Sequence, residues 1–275
     1  MNGMRIDAHV HMNGEEKDSG KLMKNLERAG FDGAVLFSPS PNALFGKKMS
    51  NQERLEHLLQ YTRGRDLLYP FYFVDPTEED AEEQVKAAKE AGVKGYKIIC
   101  NHFYPGDERA LKIYQWIADH KMPLMFHSGI LYDGINVSGK YNRPCEFERL
   151  LSIKGLKFSL AHISWPWTGE CIAVFGKFNC FKEQNPDGKA ASMFLDLTPG
   201  TPPTFREDAL RHVFGNGFHV DTCTFWGSDN VAEDYNWEYA KQIRERDEEI
   251  FGKLGLSQTY QDDIFQGNFR RFLEE

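Results

Sequence analysis

RIDAHVHM, residues 5–12, sets histidines at positions 9 and 11 inside a short apolar run. Alternation of apolar and polar residues with period two marks a strand. Successive side chains of a strand point to opposite faces, so His9 and His11 are expected on one face and Ile6, Ala8 and Val10 on the other, against helices. Next along the chain, GKLMKNLERAG (20–30) reads as a helix with Leu22, Met23, Leu26 and Ala29 on one face and Gly30 as its stop. DGAVLFS (32–38) is then a second strand. The alternation runs on through strands LLYPFYFVD (67–75), VKGYKIIC (93–100), PLMFHSG (123–129), LKFSLAHIS (156–164), SMFLDLT (192–198) and CTFWGSD (223–229). Helical patterns lie between and after them at 51–64, 76–92, 107–120, near 145–152, 168–183, near 205–214, about 233–252 and 257–273. Strands and helices in strict alternation signal a parallel α/β fold.

Two topologies satisfy that alternation, an open doubly wound sheet and a closed barrel. The polar residues choose between them. His127 ends the fifth strand, His162 the sixth and Asp229 the eighth, each where a strand becomes a loop. In an open sheet the edge strands would stand about 30 Å apart, at about 4.8 Å per step. Only closure brings the first, fifth and eighth strands to one place, and barrel active sites sit at the C-terminal strand ends. If these residues form one site, the fold is a single (β/α)8 TIM barrel with C-terminal helices. No linker, repeat or low-complexity stretch divides the chain, so residues 1–275 are expected to form one domain.

The charge sum, 33 basic against 41 acidic residues, is −8, which argues against a nucleic-acid partner because phosphate binding needs a basic surface. The five cysteines are odd in number and none is in CxxC spacing, so neither a disulfide framework nor a cysteine zinc site is expected. MNGMRIDAHV lacks an apolar signal core and no apolar run reaches membrane-spanning length. A cytoplasmic protein with no membrane partner is the expectation.

Imidazoles with a carboxylate suit a borderline divalent metal, zinc first and manganese next. His9, His11, His127 and Asp229 are the expected ligands, leaving room for a water whose pKa the metal would lower toward about 7. Asp229 is placed to relay that proton and His162 to orient the water or stabilise charge on the substrate. Each residue alone has a plainer explanation. Two inward histidines on a strand serve packing as readily as a metal, His127 suits a core histidine, and Asp229 in GSDN suits a loop cap. Their conjunction at strand ends favours one metal site over four accidents.

The segments IDAHVHM (6–12), GVKGYKI (92–98), PLMFHSG (123–129), LKFSLAHIS (156–164), WGSDN (226–230) and IFQGNFRRFL (264–273) together resemble the amidohydrolase superfamily. The resemblance is to its amidohydrolase-related branch, which includes aminocarboxymuconate-semialdehyde decarboxylase, aromatic-acid decarboxylases and lactonases. It implies a barrel with one divalent metal, usually zinc, on His9, His11, His127 and Asp229, with His162 as a catalytic histidine beside it. It makes Lys97 a pocket residue, either a free ammonium or, as in some superfamily members, a carboxylated bridge between two metals. It also suggests a homodimer. Position 14 is glycine where many decarboxylase-branch members carry proline.

Further candidates follow from position. His102 after the fourth strand, Arg143 in the long fifth loop and Trp165 after the sixth strand are candidate substrate contacts; a backbone-bonded loop histidine and a surface arginine are the competing readings for the first two. Asp196 is a candidate partner holding Lys97 or His162, or a structural carboxylate. Phe45, Tyr104, Tyr132, Trp167 and Trp226 are candidates to wall a pocket for a flat substrate. The leading expectation is a hydrolase acting on a carbonyl or lactone carbon of a small molecule. The rivals are a non-oxidative decarboxylase and a barrel kept only as a binding protein.

Overall fold

The computed structural model describes residues 3–41, 44, 46–134, 137–187 and 189–274, so Phe45 lies outside the described residues. Among them, parallel strands run in the order β8-β7-β6-β5-β4-β3-β2-β1-β9. They are β1 (Ile6–His11), β2 (Gly33–Phe37), β3 (Leu68–Phe73), β4 (Gly95–Ile98), β5 (Leu124–Phe126), β6 (Lys157–Leu160), β7 (Ser192–Asp196), β8 (Thr224–Phe225) and β9 (Asn230–Val231). The helices are α1 (Gly20–Ala29), α2 (Asn51–Thr62), α3 (Ala81–Glu90), α4 (Glu108–Asp119), α5 (Thr168–Gln184), α6 (Pro203–Phe214), α7 (Trp237–Lys253), α8 (Gln258–Asp262) and α9 (Asn268–Leu273). The connection from β5 to β6 carries 3-10 turns, the longer at Pro144–Ser152.

β8 lies inside the expected eighth strand (223–229) and is shorter than expected, and β9 begins just past its end. Between them the chain changes neighbours. The N–H of Leu197, just past β7, donates to Phe225 O at 2.8 Å, and the N–H of Ala8 in β1 donates to Trp226 O at 3.0 Å. One residue therefore borders the seventh strand and the next borders the first, which closes the sheet into a TIM barrel.

The first strand departs from simple alternation. Asp7 pairs with Ala34 and Val10 with Leu36, so Ala8 and His9 together stand against the single residue Val35. This bulge resets the facing of the strand. Ile6 and Ala8 pack inside the barrel with Val35, Phe37, Phe71 and Met125, while Val10 packs outside with Leu22 and Leu26. The expectation that Ile6 and Ala8 face the helices is thus corrected; His9 and His11 do point inward, because the extra residue falls just before them.

Local signals explain the helices. Ser50 and Glu53 form a reciprocal capping box at the start of α2, and Gly30 ends α1 at a φ of 83°, a conformation that costs glycine little. The helix expected from residue 76 begins only at Ala81, since the Asp75 carboxylate accepts the Thr77 N–H at 2.9 Å and holds that stretch in turns. The sixth strand stops at Leu160, before His162. Below the sheet, Phe269 and Phe272 of α9 join the interior cluster beside Phe194 and Phe225, so this helix closes the N-terminal end of the barrel. Outside, fully buried Arg206 of α6 pairs with Asp247 of α7 at 2.7 Å, and Trp226 Nε1 donates to the same carboxylate at 2.9 Å. That pair ties both helices to the residue that follows β8. Among the described residues, no helix is long and apolar enough to cross a membrane.

Candidate metal centre

Three donor atoms meet where β1 ends and the chain passes from β8 to β9. His9 Nε2 lies 3.3 Å from His11 Nε2 and 3.5 Å from Asp229 Oδ1, and His11 Nε2 lies 3.4 Å from that same oxygen. Metal bonds of about 2.0–2.2 Å in a tetrahedron set donors about 3.3–3.6 Å apart. The triangle therefore has the size that a tetrahedral divalent ion requires. His127 stands one ring further out, its centroid 4.9 Å from that of His162, and its buried Nε2 has no hydrogen-bond partner. An orphaned buried nitrogen is costly unless something binds it. The residues present fit a metal ion.

Protonation favours the same conclusion. Burial drives the pKa of His9 and of His127 well below the ordinary histidine value, with Lys97 adding to the effect for His9 and His162 for His127. Burial also lowers His162, and lowers His11 despite the opposing pull of Asp229. Neutral imidazoles are the form that binds metal. For Asp229 burial pushes upward, but His162, His11 and Lys97 outweigh it and hold the carboxyl below its usual range.

The sequence builds this arrangement from supporting contacts. His9 Nδ1 donates to Asp196 Oδ2 at 2.6 Å, and the other Asp196 oxygen accepts the Thr198 N–H at 2.8 Å and the Thr198 hydroxyl. With its Nδ1 proton so engaged, His9 presents Nε2 to the site. Lys97 is fully buried, with Nζ 3.3 Å from His9 Nε2 and 4.7 Å above the Phe37 ring. Burial pushes Lys97 down to about 8, against the attraction of Asp196 and Asp229. Burial pushes the Asp196 carboxyl up to about 7.

His162, Ile163 and Ser164 all take left-handed backbone, with φ of 62°, 48° and 55°, and Asp229 does the same at 61°. Such angles are rare outside glycine and persist where neighbours enforce them, often at functional sites. Here Ser128 Oγ donates to Ala161 O at 2.7 Å and lies 2.7 Å from Ser164 Oγ. His162 Nδ1 donates to Pro199 O at 3.1 Å; a carbonyl only accepts, so His162 keeps its Nε2 lone pair. Glycines permit the crowding. A Cβ on Gly227 would lie 2.4 Å from His9 Cβ, and one on Gly200 would lie 2.7 Å from His162 Cβ.

Above the centre opens a cavity of about 210 Å³, walled by Ile99, Ile130, Leu131, Tyr132, Trp165 and Pro199, with His11, His127, His162 and Asp229 as its polar floor. Trp165 and Tyr132 lie where the sequence reading set them, but Lys97, expected to meet substrate, sits beneath the floor, and Asp196, expected to hold Lys97 or His162, holds His9. Two expected substrate contacts are elsewhere. His102 lines a separate surface groove with Phe103 and Tyr104, its Nε2 3.3 Å from Asp75 Oδ2, because the chain turns outward after Ile99. Arg143 pairs with Glu170 at 2.6 Å and lies over the Trp167 ring, away from the cavity. Tyr104 stands against Tyr141 outside the pocket, and Trp226 is a core residue stacked on Phe31. The apolar wall from Ile99, Ile130, Leu131 and Pro199 escaped the sequence reading, since such residues look like core. So did Asp7, whose buried carboxylate accepts the Ser228 N–H at 2.8 Å and the Tyr235 hydroxyl at 2.7 Å. Its place between two ligand-bearing segments, in IDAHVH, was the available signal.

Comparison with known proteins bears on the chain as a whole. The sequence pattern of an amidohydrolase family matches residues 6–274. No curated protein matches the chain. An uncharacterised TIM-barrel protein of Bordetella bronchiseptica is similar in structure at a TM-score of 0.71 and 14% identity, covering 98% of each chain. An amidohydrolase of Burkholderia multivorans is similar at 0.68 and 10%, covering 98% of this chain and 99% of its own. A 2,6-dihydroxybenzoate decarboxylase from Rhizobium is similar at 0.62 and 12%, covering 99% and 98%.

Proposed function

The chain belongs to the amidohydrolase family, and from that premise we propose that it is a hydrolase that adds water to the carbonyl carbon of a small lactone, ester or amide with the help of one divalent metal ion. The observation that carries this reading is the donor triangle of His9 Nε2, His11 Nε2 and Asp229 Oδ1, with edges of 3.3, 3.4 and 3.5 Å at the C-terminal end of the barrel. These three residues would hold the ion and His127 would complete the set; zinc suits them best. When bound, such an ion supplies Lewis acidity, polarising a carbonyl and easing the ionisation of water at neutral pH.

The chain's own groups do the rest. Asp229 faces the cavity floor and accepts the proton of the attacking water as the carbon–oxygen bond forms. It then returns that proton to the leaving group as the scissile bond breaks. His162, fixed through Pro199, offers its Nε2 lone pair to the attacking water and holds it over the carbonyl. Asp196 holds the His9 ring in one tautomer.

A second reading is non-oxidative decarboxylation of an aromatic acid, with a proton delivered to carbon as carbon dioxide leaves. The apolar wall beside Trp165, which suits a flat ring, supports it. Metal content by elemental analysis, on protein purified without chelator or polyhistidine tag, tests both. About one ion per chain, lost in His9→Ala, supports the metal centre. Water-dependent opening of a lactone or ester then points to the hydrolase, and carbon dioxide release from a hydroxylated benzoate to the lyase. A metal-free protein with activity untouched by chelators overturns both.

A further inference from the structure

Resting on the metal-centre reading, we infer that the substrate carries its polar function at one end only: a single small ring or branched apolar body whose one carbonyl or carboxylate meets the histidine floor, with no second anionic group. Above that floor the cavity offers Ile99, Ile130, Leu131, Tyr132, Trp165 and Pro199, and no lysine or arginine is among the described residues that line it. The residues outside the described set include no lysine, arginine or histidine, so none of them supplies a cation either.

The three basic groups that the sequence set near the pocket are engaged elsewhere. Arg143 is held by Glu170 at 2.6 Å over the Trp167 ring. His102 lies in another groove against Asp75. Lys97 is buried under the floor at 3.3 Å from His9 Nε2, where it serves the metal end of a ligand and not its far end. A carboxylate placed against the apolar wall would lose its hydration with nothing to replace it, which is among the most costly events in binding. The net charge of −8 also repels polyanions at long range. Size agrees: about 210 Å³ falls below the about 300–1,000 Å³ of sites for drug-sized ligands, which leaves room for one ring.

Hydroxamates test this without turnover, since they combine a metal-chelating end with a chosen tail. Zinc-reconstituted protein is titrated by calorimetry with acetohydroxamate, benzohydroxamate and 4-carboxybenzohydroxamate. The expected order has benzohydroxamate at least about tenfold tighter than either of the others. The acetyl probe lacks the ring, and the carboxylated probe drives an anion into the wall. In Ile130→Lys the carboxylated probe should gain at least about tenfold relative to benzohydroxamate. Should that variant fail to fold, the order of the three probes on the unsubstituted protein still decides. Equal or tighter binding of the carboxylated probe, equal binding of the acetyl probe, or failure of all three to bind zinc-loaded protein overturns the inference while the metal centre stands. Failure to take up zinc overturns the metal reading and this inference with it.

Discussion

His9 Nδ1 and Asp196 Oδ2 stand 2.6 Å apart, both side chains wholly buried, and join the first strand to the seventh behind the donor triangle. A carboxylate behind a ligand imidazole fixes its tautomer and raises its basicity. Asp196→Asn should weaken metal affinity about 10–100-fold while the fold persists. Competition against a chromophoric chelator reads this directly. Unchanged affinity would show that Asp196 is structural only.

Gly227 is the point of closest approach to His9. Its hypothetical Cβ lies 2.4 Å from His9 Cβ and 2.7 Å from Thr198 Oγ1. Gly227→Ala must therefore displace the first ligand strand or the turn that carries Asp229. The expected cost in stability is about 1–3 kcal/mol, with metal content per chain falling by more than half. Circular dichroism melts and elemental analysis on the same sample check both parts.

Arg206 and Asp247 form a buried pair at 2.7 Å that also satisfies Trp226 Nε1. Arg246 also pairs with Asp247, at 3.1 Å, so it is removal of Asp247 that leaves a buried charge uncompensated, with only the Leu197 carbonyl left to fully buried Arg206. Asp247→Ala should cost about 3–5 kcal/mol in urea unfolding, and the double change Arg206→Met with Asp247→Leu should cost less than the single one. A single-variant loss under 1 kcal/mol would contradict this account.

Glu233 fastens the loop that follows the two ligand histidines. Its carboxylate accepts the N–H of Asn13 at 3.1 Å and of Gly14 at 3.0 Å, and His57 Nε2 lies 3.7 Å from it. Glu233→Ala should strand both donors, at about 1–3 kcal/mol for each that finds no water. Hydrogen exchange at these two amides should accelerate more than exchange in α5, which the clamp does not touch.

Metal should act as a stabilising ligand, because the unfolded chain has no preformed site. At a free concentration near 100 times its dissociation constant the gain is about 2.7 kcal/mol. Zinc should raise the melting temperature of the unsubstituted protein and chelator should reverse the rise, with neither effect in a His9→Ala, Asp229→Ala double variant. An equal shift in the double variant would place the binding elsewhere.

Much of this molecule is legible in sequence because its signals are local. Strand and helix patterns alternate in the order the barrel shows, and the histidines and aspartate of the site fall where strands give way to loops. Facing was less legible. Period-two logic predicted His9 and His11 inside, but it set Ile6 and Ala8 outside, and the bulge at Ala8 and His9 reversed that. A bulge is decided by pairing to a neighbouring strand, in this case Val35, and leaves no mark in its own segment. His102 and Arg143 were misplaced for a related reason. A loop side chain goes to its best partner, and those partners, Asp75 and Glu170, are distant in sequence.

By itself, then, the sequence determined the α/β class, the barrel and the residues that converge at its C-terminal end, since these follow from periodicity and from where polar groups interrupt it. Only the tertiary structure decided the 3.3–3.5 Å donor triangle, the Asp196 support behind His9 and the wall above the floor, which among the described residues holds no lysine or arginine. Those depend on how strands pair, where the sheet closes and which distant group satisfies each charge, and such long-range contacts carry no period along the chain.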